Sequence, residues 1–386
     1  LKKEYGESLD WVIPFLGDWH VLKNFQEVLL KIFWDAGLKD IAKLSHKSST
    51  LNSLGSCSNF KRTHRFLLQV YEAVFMCLWQ SFFDYRSGQE ESVSNSEFKK
   101  NVKDVVSKLI FENGKYKGVP EFKDAQTDFK TETMIPFMEE FTKYCSEMSQ
   151  KYETFRFWHR FLYEDVLCYI DLWIAIRQGN WNLRMAALKK MAPLFHAFDR
   201  HNYSKLIPLH ISSLLALPQD VLEHFKRGCF VSSIKGTNFA KVGFDEGHEM
   251  LINKDFKIAF THSLPKHMEQ LVGTMEFQAH LIRLFEEQLG ILNVNENVHR
   301  DLQWSVIQSE FKNVKLYFEN FSKTQMFQPL QEASLFHVVS NVKATAAQQK
   351  CLLSYRELGN DSYESYCKMH ILKQTSVRHL FRENFN

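Results

Sequence analysis

"EEFTKYCSEMSQKYETFRFWHRFLYEDVLCYIDLWIAIRQG", beginning at Glu139, limits what this chain can fold into more than any other stretch. Its apolar positions keep a helical pattern as far as Gly179, and "NWNLRMAALKKMAPLFHAFD" takes the pattern up again after Asn180, a residue suited to cap a helix. Two long helices in succession, read as antiparallel neighbours, commit the middle of the chain to a helical body. "THRFLLQVYEAVFMCLWQSFF" adds another helix with Thr63 as a candidate cap, and Asp199 or Asn202 is placed to cap the one before "LPQDVLEHFKRG". That last segment has Pro218 at its first turn and Gly228 at its end. From Thr274 onward "MEFQAHLIRLFEEQLG", "RDLQWSVIQSEFKNVKLYFENF" and the stretch from Gln331 to Leu358 again read as helix, and the 34 Phe of the chain suit a helical core.

Two islands break the period. "WVIPFL", Trp11 to Leu16, is short, apolar and bounded by Gly17, which predicts a buried strand, followed by a helix from His20 with Gly37 as its C-cap. "CFVSSIKGTNFAKVGF", Cys229 to Phe244, predicts a hairpin, and "DEGHEMLINKDFKIAF" a helix capped by Asp245. Ser45 to Asn59, Tyr85 to Ser96 and the segment from Phe111 to Lys130 are polar or Gly-rich and read as connections. The expected fold class is mainly α (α+β), a large helical body with a small β-containing part.

Composition removes several functional classes. With 48 Lys and Arg against 45 Asp and Glu the net charge is only +3, so nucleic-acid binding would have to rest on local patches. Seven scattered Cys without a C-x-x-C pair suit a reducing compartment, nuclear or cytoplasmic. The apolar run "VLCYIDLWIAI" from Val166 is interrupted by Asp171 and stopped by Arg177, well short of a bilayer span, so no membrane partner is expected. Neither G-x-x-x-x-G-K-[ST] nor G-x-S-x-G occurs. His46, Cys57 and His64 have too irregular a spacing for a zinc site, and His196 with His201, like His262 with His267, read as surface or loop histidines. The chain opens on Leu1 without an initiator Met and reads as a fragment of a longer polypeptide.

Chemistry concentrates where each island meets its helix: Asp18 and His20 in the first, Asp245, Glu246, His248 and Glu249 in the second. Carboxylates held on rigid elements are what magnesium or manganese requires. Glu249 and Asn253 lie four apart on one helical face, and Asp245 and His248 three apart. The same acids are equally explained as N-caps and first-turn residues favoured by the helix dipole. Basic residues interleaved with aromatics, Lys61, Arg62 and Arg65, Arg156 and Arg160, Lys226 and Arg227, could track a DNA backbone or form the solvated edges of helices.

"GDWHVLKNFQ", "FWHRFLYEDVLCYIDLWIAIRQGNWNLRMAALKKMAPLF", "FDRHNYSKLIPLH" and "FKRGCFVSSIKGTNFAKVGFDEGHEMLINKD" together resemble a widespread group of transposon-derived proteins of animals, over most of residues 5 to 260. These look like DDE transposases, whose RNase H-like core carries two magnesium ions on Asp, Asp and Glu and is split by a helical insertion. The resemblance implies Asp18 as the second Asp, supported by His20, Lys23 and Asn24, and Glu249 as the closing Glu, with Asp245 its nearest rival and His248 and Asn253 in support. It implies core segments at 1–44 and 229–262, an insertion at 45–228, a C-terminal helical region at 263–386, and a first Asp upstream of Leu1. The implied function is metal-dependent DNA strand cleavage and transfer by the full-length ancestor, with Mg2+ or Mn2+ as cofactor, DNA as partner and self-association into a homo-oligomer. A non-enzymatic, domesticated DNA- or protein-binding helical module is the alternative, and a metal-dependent hydrolase using Asp18, His20, His248 and Glu249 a third reading.

Overall fold

Apolar residues recurring at three and four positions give this chain a mainly helical fold, with two small two-stranded sheets among the described residues. The computed structural model describes residues 13–87, 134–233, 241–249, 304–329 and 332–372, with strand pieces at 111–112 and 115–116 and isolated helical positions at 100, 103–104 and between 274 and 289. Helix α1 is Asp18–Phe33, followed through a π-helical turn at Trp34–Leu38 by α2, Lys39–Lys43. Then come α3 (Ser48–Gly55), α4 (Phe60–Ser87), a hairpin of β1 (Phe111–Glu112) and β2 (Lys115–Tyr116), α5 (Met134–Lys151) and α6 (Glu153–Arg160). A second π-helical turn, Phe161–Asp165, leads into α7 (Val166–Gln178), α8 (Trp181–Ala197), α9 (His201–Leu215) and α10 (Gln219–Lys226). Strands β3 (Val231–Ser233) and β4 (Lys241–Gly243) precede α11 (Phe244–His248), α12 (Trp304–Phe321) and α13 (Ala346–Tyr366).

Contacts divide the chain into two compact units, Leu1–Phe25 with Tyr169–Asn313 and Asn360–Asn386, and Gln26–Cys168 with Val314–Gly359. In the first, Val21, Leu22 and Phe25 of α1 are buried, as are Leu188, Met191, Leu194 and Phe195 of α8 and Ile207 and Ile211 of α9. Phe25 meets Phe195 edge to face, with ring centroids 5.4 Å apart. Strands β3 and β4 pair antiparallel, Val231 opposite Gly243 and Ser233 opposite Lys241, and Arg177 at the end of α7 donates to the Lys241 carbonyl at 3.0 Å.

The second unit is built on aromatics. Phe33 packs against Phe157, Trp158 and Phe161, and Trp79 of α4 stacks on Phe141 of α5 at 4.3 Å. Its buried charges are paired: Arg86 donates to both oxygens of Glu140, and Asp165, fully buried, accepts from Tyr355 and Arg356 of α13. Helix α4 is long and apolar enough to cross a membrane by length and composition, yet half of that window is buried inside the structure, as in the core helix of a globular protein.

Several local expectations change. Residues 13–17 carry no regular structure, while 11–12 lie outside the described residues. Pro14 supplies no amide to a ladder, which works against the expected strand. Ser45 to Asn59 contains α3 rather than a plain connection, and the long pattern from Glu139 is interrupted at Tyr152 and by the π-helical turn. Helix α4 starts at Phe60, with Asn59 accepting from the Arg62 amide, so Thr63 is not its cap. Asn180 does cap α8, accepting from the Leu183 amide at 3.1 Å, whereas α9 follows Arg200 without a side-chain cap. Residues 332–345 are irregular, and the helix expected from Gln331 begins at Ala346. Most residues between 250 and 303 lie outside the described residues, Asn253, His262 and His267 among them.

Gly37 is not a C-cap but a kink inside the π-helical turn, at φ +133°. Only glycine occupies that region without strain, and a Cβ there would lie 2.2 Å from Val338 Cγ1. Gly37→Ala should therefore lower stability by about 2 kcal/mol or more, strain and overpacking acting together, as read by the urea midpoint at unchanged slope.

Candidate functional site

The backbone amides that open a helix have no acceptor within it, and a buried helix start must find one elsewhere. Helix α1 opens on Gly17, whose carbonyl accepts from the Val21 amide at 3.1 Å but which has no side chain to cap with. The acceptor comes from 225 residues further along the chain: Asp245 of α11 takes the Trp19 amide at 3.2 Å and the His20 amide at 2.9 Å. His20 Nδ1 lies 2.9 Å from the same carboxylate, so this nitrogen donates and carries a proton, while 41% of the ring side chain stays exposed. Gly17 is required here because a Cβ would lie 2.5 Å from Asp245 Oδ2. The two islands thus meet, as their strand-end acids led one to expect, and Asp245 caps α1 rather than α11, which follows Gly243.

Asp18, the first residue of α1, is 2% exposed and faces Arg184 of α8, which is fully buried. Arg184 Nε donates to both carboxylate oxygens, at 3.0 and 2.8 Å, and Nη2 to Oδ1 at 2.7 Å. Phe15, Trp181 and Phe230 surround the guanidinium with ring centroids at 4.6, 5.3 and 5.5 Å. Burial pushes the Asp18 carboxyl upward against the pull of Arg184, and the Asp245 carboxylate adds a smaller push the same way. His210 of α9 closes the cluster, its Nε2 3.0 Å from Arg184 Nη2. Burial and then the guanidinium charge press His210 down to about 3, so its ring is neutral near pH 7 and Nε2 accepts.

A divalent cation needs open carboxylate positions, and here a guanidinium already sits against both oxygens of Asp18. Asp245 is engaged by two amides and an imidazole. As they stand these acids do not fit a magnesium or manganese centre, and among the described residues no group of three His, Cys, Asp or Glu is placed to hold a metal. Glu249 is half-buried and His248 exposed just beyond Asp245, and Glu246 lies 3.4 Å from Arg177. Lys23 lies 5.3 Å over the Trp19 ring, and Asn24 donates back to the His20 carbonyl, so both support α1 itself. His46 lies against Ser45, His64 stacks on Phe60, and Cys57 is buried.

Of the basic residues, Lys61 and Arg65 are exposed on the first two turns of α4, with Arg62 half-buried between them. Lys226 and Arg227 are exposed at the end of α10, and Lys226 pairs with Glu223. Arg156 and Arg160 are half-buried on α6. Arg184 and His210 were missed from sequence, although each sits on an apolar stripe: Trp181, Arg184, Leu188, Met191 and Phe195 in one helix, Ile207, His210, Ile211 and Leu214 in the other. A lone cation within an apolar stripe asks for a buried anion.

A family model described as Domain of unknown function (DUF8702) matches residues 1–380. No curated protein and no solved structure matches the chain.

Asp18→Ala leaves a buried, uncompensated guanidinium and should cost about 3 to 5 kcal/mol in urea unfolding. Combining Asp18→Leu with Arg184→Met removes both charges and should recover most of that loss, whereas additive losses would mean that the pair is not the stabilising unit. His210 gives a signed pH dependence. Its ordinary value of 6.5 falls to about 3 on folding, so its contribution is complete above 6.5 and is lost as pH falls toward 3. Unfolding free energy should drop on acidification with a share from His210 of at most about 1.4 kcal/mol per pH unit. His210→Gln should flatten the slope by that share, leaving the smaller parts from His46, His159 and His196, which burial also lowers.

Proposed function

The chain belongs to the DUF8702 family, and we propose for it a non-enzymatic binding role: a helical module, descended from a transposase-like ancestor, that holds DNA without cutting it. The observation that carries this reading is the Asp18–Arg184 pair, because an acid gripped on both oxygens by a buried arginine is a structural group. The position read as the second catalytic Asp then stabilises the fold, and the position read as a rival for the closing Glu, Asp245, caps a helix. DNA is the partner best supported by the surface, since Lys61 and Arg65 stand four apart and exposed on one helix.

Fluorescence anisotropy with duplex DNA at several salt concentrations measures the charge contribution directly. The expected outcome is salt-sensitive binding, with Lys61→Gln and Arg65→Gln each weakening it and reducing the logarithmic salt slope by about 1. No nicking should appear with magnesium or manganese. Magnesium-dependent nicking that disappears in Glu249→Gln, with DNA affinity intact, would replace this reading with strand cleavage and transfer. Salt-insensitive or undetectable DNA binding would remove DNA as the partner.

A further inference from the structure

Away from Asp18 and Asp245, the second unit contains a cleft of about 590 Å3 lined by α5, α6 and the π-helical turn after it. Its chemistry is that of hydrogen-bond donors. Arg156 and Arg160 stand four apart on α6, one helical face, and both line it. Arg156 pairs through Nη2 with Glu153, but its Nε is buried without a hydrogen-bond partner, and so is the Ser149 hydroxyl across the cleft on α5. Arg160 donates through Nη1 to the Leu353 carbonyl at 3.0 Å and has no carboxylate partner among the described residues. Among the described residues lining the cleft Glu164 is the one carboxylate, and it is held by Arg356 at 2.9 Å.

Buried donors left without acceptors are costly, and two guanidinium groups beside them present what a tetrahedral oxyanion needs. Beside the arginines, on α6 and the turn after it, His159 and Tyr163 stack with ring centroids 4.6 Å apart and form an aromatic wall, and Phe141 of α5 also lines the cleft. Burial keeps the His159 ring neutral near pH 7, so this wall offers aromatic surface rather than a third charge. A free phosphate would leave most of about 590 Å3 unfilled, while that volume falls within the range for small-molecule sites.

We propose that this cleft binds a phosphate monoester carried on a planar ring, the class of the nucleoside monophosphates, with Arg156, Arg160 and Ser149 on the phosphate and the His159–Tyr163 wall beside the ring. The site does not depend on the DNA-binding reading: a chain that takes up a mononucleotide through Arg156 but binds no duplex keeps it. The phosphate monoester can come from a free nucleotide or from the 5′ end of a strand.

Calorimetric titration of the whole chain with adenosine 5′-monophosphate tests it, with adenosine and inorganic phosphate titrated separately. The expected result is saturable binding of the nucleotide, with adenosine and inorganic phosphate each weaker by about tenfold or more, the loss that accompanies removal of a charge-assisted contact or of the stacked ring. Arg156→Gln should weaken nucleotide binding by about tenfold at an unchanged thermal midpoint, and Ser149→Ala, which removes a single hydroxyl, should weaken it by a smaller factor even if Arg156→Gln fails to fold. Competition by a 5′-phosphorylated trinucleotide, and none by its unphosphorylated counterpart, would support the site and identify a strand end as its source; competition by the mononucleotide alone would support it with a free nucleotide as source. No saturable binding of adenosine 5′-monophosphate, or equal affinity in the wild type and in both variants, overturns the proposal.

Discussion

The contact between Asp18 and Arg184 is the constraint on which the first unit is arranged. Two opposite charges with almost no exposure are tolerable only when each satisfies the other closely, and here three hydrogen bonds between 2.7 and 3.0 Å do so. Once the pair forms, the start of α1 is fixed against α8. The aromatic rings of Phe15, Trp181 and Phe230 then keep water away from the guanidinium, and His210 must stay neutral to remain beside it. The other unit repeats the device with Asp165 held by Tyr355 and Arg356. Replacing either arginine by a neutral residue would leave a desolvated carboxylate, which explains why single changes at these positions are expected to cost far more than surface changes.

How much of this was legible follows from which signals are local. Helical periodicity is local, and it identified α4, α5, α7 and α8; residue type marked the Asn180 cap, and a break in the period marked the hairpin of β3 and β4. The strand expected before Asp18 failed because an apolar run does not carry its own partner, and β structure needs one. Asp18 and Asp245 were both singled out, and the islands that carry them do meet. Their roles were not readable, because a metal ligand, a cap and a buried ion pair demand the same residue type and differ only in what lies opposite. Arg184, the residue that faces Asp18, is 166 positions away and sits in a helix whose apolar stripe it interrupts. The interruption was the available signal.

The near balance of acids and bases gains a physical meaning from these pairs. Arg86, Arg184 and Arg356 are engaged with carboxylates, so they contribute little to the field outside the protein. Lys61 and Arg65 stand on the surface, and the cleft cations Arg156 and Arg160 are half-buried, Arg156 beside Glu153 and Arg160 against the Leu353 carbonyl. A net charge of +3 summed over the sequence therefore understates how unevenly positive charge is presented.

The capping of α1 by Asp245 bears on how the protein is made. A helix of 16 residues is marginal alone in water, and this one follows a glycine, its opening amides finding their acceptor 226 positions downstream. At ordinary rates of translation the intervening stretch takes on the order of tens of seconds to emerge from the ribosome. Through that interval the first helix stays frayed at its start and its Asp18 carboxylate remains hydrated. The first unit can complete its core only after β4 and α11 have been synthesised, which makes it a late-closing structure whose beginning waits for its far end, and exposes the nascent chain to chaperones meanwhile.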